Sequence, residues 1–123
     1  MKIKKATKKY EAWLAKHANL VPEDLQLKHA RMAEAPFEFL RATFYRWAQV
    51  WPKVSPDLAK APEVLGVGDL HVENFGTWRD QEGRLIWGVN DFDEACRLPY
   101  TNDLVRLAAS AHLAVSSNPG AMI

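Results

Sequence analysis

Cysteine is almost missing from this chain. Cys96 stands alone among 123 residues, so no disulfide can close within the chain and no cysteine-rich zinc site can be assembled. Long apolar runs are missing too: the longest candidate, residues 104–115, is short and interrupted by Arg106 and His112, too little to span a bilayer. Lysines crowd the first residues but no apolar stretch follows them, which argues against a secretory signal. Nor is there an excess of one charge. Lys and Arg number 16 against 15 Asp and Glu, for a formal net charge of +1, a balance that argues against a protein dominated by nucleic-acid binding. Lys2, Lys4, Lys5, Lys8 and Lys9 then read as a solvated helix face. A reducing, cytoplasmic setting without membrane or nucleic-acid partners is the expectation.

With 48% hydrophobic and 25% charged residues, the composition is that of a globular domain rather than a disordered segment. Tyr10, Trp13, Leu14 and His17 recur at helical spacing and predict a helix over 4–17. Pro22-Glu23-Asp24 supplies a first-turn proline and acidic residues for a second helix reaching about residue 35. A third helix is expected from Pro36, with Phe37, Leu40, Phe44, Trp47, Ala48 and Trp51 on one core-facing side until Pro52 stops it. Prolines and Ser55-Pro56-Asp57 mark a turn between 52 and 62, with one helical turn over 57–60.

The pattern changes after that turn. Val64-Leu65-Gly66-Val67 reads as a short buried strand that delivers Asp69 at its carboxyl end. Residues 74–78 and 84–89 flank the polar loop Arg79-Asp80-Gln81-Glu82-Gly83 and read as a hairpin, with Trp78, Leu85 and Trp87 favouring strands. Asn74 and Asp91 sit at its two open ends, where antiparallel pairing brings them together. A last helix opens over 99–103, capped by Thr101 or Asn102, carries an apolar stripe of Leu104, Leu107, Ala108, Ala111 and Val115, and ends near Asn118-Pro119-Gly120. The expected architecture is α/β of the α+β kind, a helical segment over 1–62 followed by a loop, hairpin and helix segment over 63–118, together one partial domain.

Chemistry concentrates in Gly68-Asp69-Leu70-His71-Val72-Glu73-Asn74, followed seventeen residues later by Asp91-Phe92. That order suits kinase-type phosphoryl transfer, in which the protein mainly positions reactants and compensates charge. Asp69 would orient an acceptor hydroxyl or take its proton. Asn74 would offer its carbonyl oxygen to magnesium, and Asp91 would bridge the metal and the nucleotide phosphates. His71 is a poor magnesium ligand and is expected beneath the loop, with Glu73 exposed or near substrate. Asp103 is expected either to cap its helix or to accept hydrogen bonds from the loop backbone.

These residues resemble the protein-kinase-like superfamily, in particular its aminoglycoside and choline phosphotransferase branch, whose loop reads Gly-Asp-Leu-His, two residues, then Asn. In that branch a hairpin leads to an Asp-Phe metal element, matched by Asp91-Phe92, and then to a helix with a buried aspartate, matched by Asp103. Arg31-Met32, residues 36–41, the loop, residues 90–94 and residues 103–110 together resemble more closely the bacterial family called domain of unknown function 2252, over roughly 28–115. The resemblance implies ATP and Mg2+ as cofactors of the complete protein, an unidentified hydroxyl acceptor, and a glycine-rich segment and nucleotide-contacting lysine elsewhere in a longer, circularly permuted chain. On that reading this chain is a catalytic-loop fragment, inactive and weakly nucleotide-binding by itself. Two departures stand out. Val67 occupies a place where kinases put a loop-supporting residue, and Asp93 replaces the glycine after Asp-Phe, so Asp93 competes with Asp91 as metal ligand; adjacency to Phe92 favours Asp91.

Other chemistries have less behind them. His71-Val72-Glu73 starts like a zinc deaminase motif but lacks the two-cysteine element. Gly66-Val67-Gly68 has His71 where a dinucleotide fingerprint needs its third glycine, and no Walker sequence occurs. Metal-dependent phosphohydrolysis by Asp69, Asp91, Asp93 and Glu94 is one alternative. A non-catalytic kinase-like binding module, completed by a second chain, is another.

Overall fold

The computed structural model describes residues 1–117. Its contacts divide into two compact units, Met1–Val54 and a second from Ser55 onward. Residues 55–62 thus group with the second unit, because their 3-10 turn, Leu58–Lys60, receives a 2.6 Å hydrogen bond from the Thr101 hydroxyl at the Leu58 carbonyl.

The first unit is helical. α1 spans Ile3–Leu14, three residues short of the expected end at His17; the chain leaves it through tighter turns, with the Lys16 and His17 amides bonded to the Trp13 and Leu14 carbonyls. Ala6 on this helix is buried, the Tyr10 ring stacks on Tyr45 at 4.3 Å, and the Thr7 hydroxyl lies 2.8 Å from the Tyr45 hydroxyl. α2, Pro22–Glu34, starts at a proline with Glu23 and Asp24 in its first turn, where a missing N–H costs nothing and negative charge suits the helix dipole. His29 on α2 meets Glu11 on α1 at 2.6 Å. α2 ends because Pro36 forces Ala35 into extended backbone, φ −150° and ψ 151°.

The long third helix expected over 36–51 is two helices, α3 over Pro36–Ala42 and α4 over Phe44–Val54. Thr43, with φ −131° and ψ 37°, breaks it, and its hydroxyl bonds back to the Phe39 carbonyl at 2.7 Å, a local competitor for the helical ladder. Of the expected core face, Phe37, Leu40 and Trp51 are buried, Phe44 and Trp47 are partly covered, and Ala48 is exposed. Pro52 does not stop α4, which runs two residues further; near a helix end a proline forfeits little of the ladder.

The second unit holds two small antiparallel sheets and a long helix. β1, Glu63–Gly66, pairs with β4, Cys96–Pro99, placing Glu63 opposite Pro99 and Gly66 opposite Cys96. β2, Phe75–Arg79, pairs with β3, Leu85–Val89, in the register Phe75 opposite Val89. The reversal works because Gly83 takes φ +77°, a left-handed conformation glycine adopts freely, while the Asp80 carboxylate accepts from the Glu82 and Arg84 amides. Arg84 Nε bonds Asp80 at 2.7 Å and holds its carboxyl below the usual aspartate value. Phe75 and Trp87 stack on one side of the hairpin at 4.8 Å.

One expectation for this unit needs correcting. The strand at 64–67 is not buried: Val64 is 43% and Leu65 79% exposed, because side chains stand off the faces of the sheet and those two lie uncovered. The apolar stripe expected on the last helix, α5 over Tyr100–Ser117, is not its buried side. Leu104 is 57% exposed, Ala108 and Val115 are also exposed, and the buried positions are Thr101, Asn102, Arg106 and Ser110. α5 packs polar side inward because the loop against it takes hydrogen-bond acceptors for its Val67, Gly68 and Val72 amides from the helix. Its expected end at Asn118-Pro119-Gly120 lies outside the described residues.

Candidate functional site

β1 delivers the chain to Gly68, which is buried with φ +84°. A side chain there would be strained, so the turn that swings Asp69 away from the strand depends on glycine. Asp103, in the first turn of α5, then takes over the loop backbone: its Oδ2 accepts from the Val67 amide at 2.7 Å and its Oδ1 from the Gly68 amide at 3.1 Å. Of the two roles expected for Asp103, this is the loop-binding one. Asn102 Nδ2 donates to the same carboxylate at 3.1 Å. Two turns further along α5, the Ser110 hydroxyl accepts from the Val72 amide at 3.1 Å and donates to the Leu107 carbonyl at 2.7 Å. Leu70 and His71 are buried beneath the loop, whereas Glu73, on the 3-10 turn Val72–Asn74, is exposed.

Asn74 is the knot of the site. It is 5% exposed, and its Nδ2 donates both to the Asp69 carbonyl at 3.2 Å and to the Asp91 carbonyl at 3.1 Å, while its Oδ1 accepts from the Asp91 amide at 2.9 Å. The hairpin ladder continues one step beyond β2 and β3, with the Asn90 amide bonded to the Asn74 carbonyl at 2.9 Å. The sequence-predicted trio Asp69, Asn74 and Asp91 is therefore brought to one place. Oδ1 of Asn74 is half engaged by a backbone N–H, and an amide oxygen keeps a second lone pair.

Further carboxylates gather around this knot. Asp91 and Asp93 are exposed, and the Asp93 amide donates to Asp91 Oδ1 at 3.0 Å, which turns the chain back toward the loop. Glu94 is half-buried; burial pushes its carboxyl up from the usual glutamate value, and Asp69, Asp91 and Asp93 push it further in the same direction. Among the described residues no group of three or more His, Cys, Asp or Glu side chains is arranged to hold a metal ion. One carboxylate and one amide, with water and phosphate oxygens, is nevertheless a ligand set of the size Mg2+ takes.

Arg106 is the residue that sequence reasoning missed. It is wholly buried, its Nε donates to Asp69 Oδ1 at 2.8 Å, and its Nη2 donates to the same oxygen. Burial pushes its guanidinium down from the ordinary value, and the neighbouring charges of Asp69, Glu94 and Asp103 oppose that shift. A signal was present: Asn102, Arg106 and Ser110 fall every fourth residue, a polar line beside Asp103. A cavity of about 350 Å³ lined by Trp78, Val89, Asn90 and Phe92 adjoins Asp91 in sequence and on the hairpin.

These features define a mixed helix and strand protein whose loop, hairpin end and polar helix face converge on an acidic cluster. Residues 20–120 match the family described as "Uncharacterized protein conserved in bacteria (DUF2252)", and the chain belongs to that family. No curated protein and no solved structure matches it. No helix among the described residues is long and apolar enough to cross a membrane.

Proposed function

We propose that the complete protein is a kinase-like phosphotransferase that moves a phosphoryl group from ATP to a hydroxyl acceptor, and that residues 68–74 with Asp91 form its catalytic loop and metal element. The observation that carries this reading is Asn74, whose side chain ties the backbones of Asp69 and Asp91 together across the hairpin, Asp91 lying 17 positions beyond Asn74. Phosphoryl transfer asks for positioning and charge compensation above all, and a buried amide that fixes two aspartates supplies the first. Asp69 would orient the acceptor hydroxyl through the carboxylate oxygen not taken by Arg106. Asn74 and Asp91 would hold Mg2+, which when bound neutralises phosphate charge. The aromatic cavity beside Asp91 offers a flat ring a stacking surface. A lone, exposed Cys96 suits a reducing compartment, and we place the protein in the cytoplasm.

The test is ATP consumption by the full-length protein with a panel of hydroxyl acceptors, compared with Asp69→Ala and Asp91→Ala. Each variant should lose most of the rate, by roughly 100-fold or more if positioning is the main contribution. Equal rates in all three proteins would defeat the assigned roles. A binding module without catalysis is the second reading, supported by the exposed stripe of Leu104, Ala108 and Val115 on α5. Full activity in a purified monomer would remove it.

A further inference from the structure

The loop over 67–72 takes support from α5, and three residues supply it, each from a different point on one helical face. Asp103 holds the Val67 and Gly68 amides, Ser110 holds the Val72 amide, and between them Arg106 holds the Asp69 carboxylate. The first and last grip backbone and fix the path of the loop. Arg106 alone grips the side chain that matters.

We propose that Arg106 is a positioning residue for Asp69, an inference that rests on Asp69 being the group that meets the acceptor hydroxyl. Nε and Nη2 converge on Oδ1, so the guanidinium engages one carboxylate oxygen, and Oδ2 is the one left for the hydroxyl. The guanidinium cannot swing away, because the side chain is wholly enclosed and leaving would strand a buried charge. Lysine could supply the charge but not the planar fork that reaches one oxygen through two nitrogens.

The experiment uses full-length wild type, Arg106→Lys, Asp69→Ala and the double variant, with two independent readouts. The first is the side-chain rotamer of Asp69, from three-bond couplings between its α and β protons in nuclear magnetic resonance. A single rotamer in wild type and averaging in Arg106→Lys is expected; one unchanged rotamer in both overturns the proposal whatever the activity. The second is MgATP turnover with kcat and KM separated. Arg106→Lys should lower kcat by roughly 100-fold with KM for MgATP changed less than about twofold, and should cost nothing further when added to Asp69→Ala, since a group acting through another has no effect once that other is gone. A further loss in the Asp69→Ala background, or a parallel loss of kcat and of MgATP affinity, identifies general damage and overturns the proposal. Absence of turnover in wild type together with the rotamer change removes the phosphotransfer reading but leaves the positioning of Asp69 by Arg106 standing.

Discussion

Replacing Asp103 by alanine isolates what α5 does for the loop. The carboxylate is the acceptor for the Val67 and Gly68 amides at 2.7 and 3.1 Å, and Gly68 is buried, so no solvent stands ready to replace it there. A backbone N–H left without an acceptor in such surroundings costs about 1–3 kcal/mol, which makes the expected loss for two of them about 2–6 kcal/mol, a large share of the ~5–15 kcal/mol that holds a domain together. Asp103→Asn keeps one acceptor oxygen and should lose about half as much. Urea unfolding gives the numbers: with a slope of ~1–2 kcal/mol per molar for a unit of this size, the alanine midpoint should fall by about 1 M or more. Amide exchange at Val67 and Gly68 should accelerate in the same order, alanine before asparagine. An alanine midpoint within about 0.3 M of wild type, or protection of both amides unchanged, would refute the assignment.

Further outcomes follow from the same structure. Glu94 has its acid form favoured by the fold, so its ionised form costs stability above the raised value, and that cost vanishes as pH falls through it toward 4.5. Glu94→Gln should therefore be more stable than wild type at pH 7 and indistinguishable from it near pH 4; equal unfolding midpoints at pH 7 would contradict this. Asp80 is the opposite case. Its carboxyl is held below 3.8 chiefly by Arg84, so its support of the hairpin turn is present above 3.8 and is lost as pH falls through the lowered value. The Glu82 and Arg84 amide resonances should report that step, and Asp80→Asn should abolish it. Gly68→Ala forces a side chain into φ +84° and should cost about 1–2 kcal/mol in urea unfolding; an unaltered midpoint would show that the loop does not need that conformation.

The hairpin was legible in sequence because its signals are local: a glycine-ended polar loop flanked by Trp78, Leu85 and Trp87 marks the turn, whereas the register, Arg79 opposite Leu85, came from the pairing itself. α2 was legible for the same reason, with proline and two acids at its start and a proline just beyond its end. The break at Thr43 was not, since a threonine hydroxyl that bonds Phe39 looks in sequence like any other helical threonine. β4 was missed because Cys96-Arg97-Leu98-Pro99 has no strand pattern of its own and becomes a strand only by pairing with β1. The apolar line along α5 was legible as a stripe, but the structure puts a polar line, Asn102, Arg106 and Ser110, on the inner side.

Sequence by itself singled out Asp69, Asn74 and Asp91 as candidates and led to the expectation that Asn74 and Asp91 meet, because an antiparallel ribbon held in register brings its own open ends together. Only the tertiary structure decided how the loop is held. Backbone amides at Val67, Gly68 and Val72 turn toward a helix that comes more than thirty residues later; groups that must be satisfied when buried drew Asp103 and Ser110 to the loop, the Asp69 carboxylate drew Arg106, and Leu104 and Val115 were left outside. Periodicity reports which residues share a face. Which face is covered depends on what lies against it.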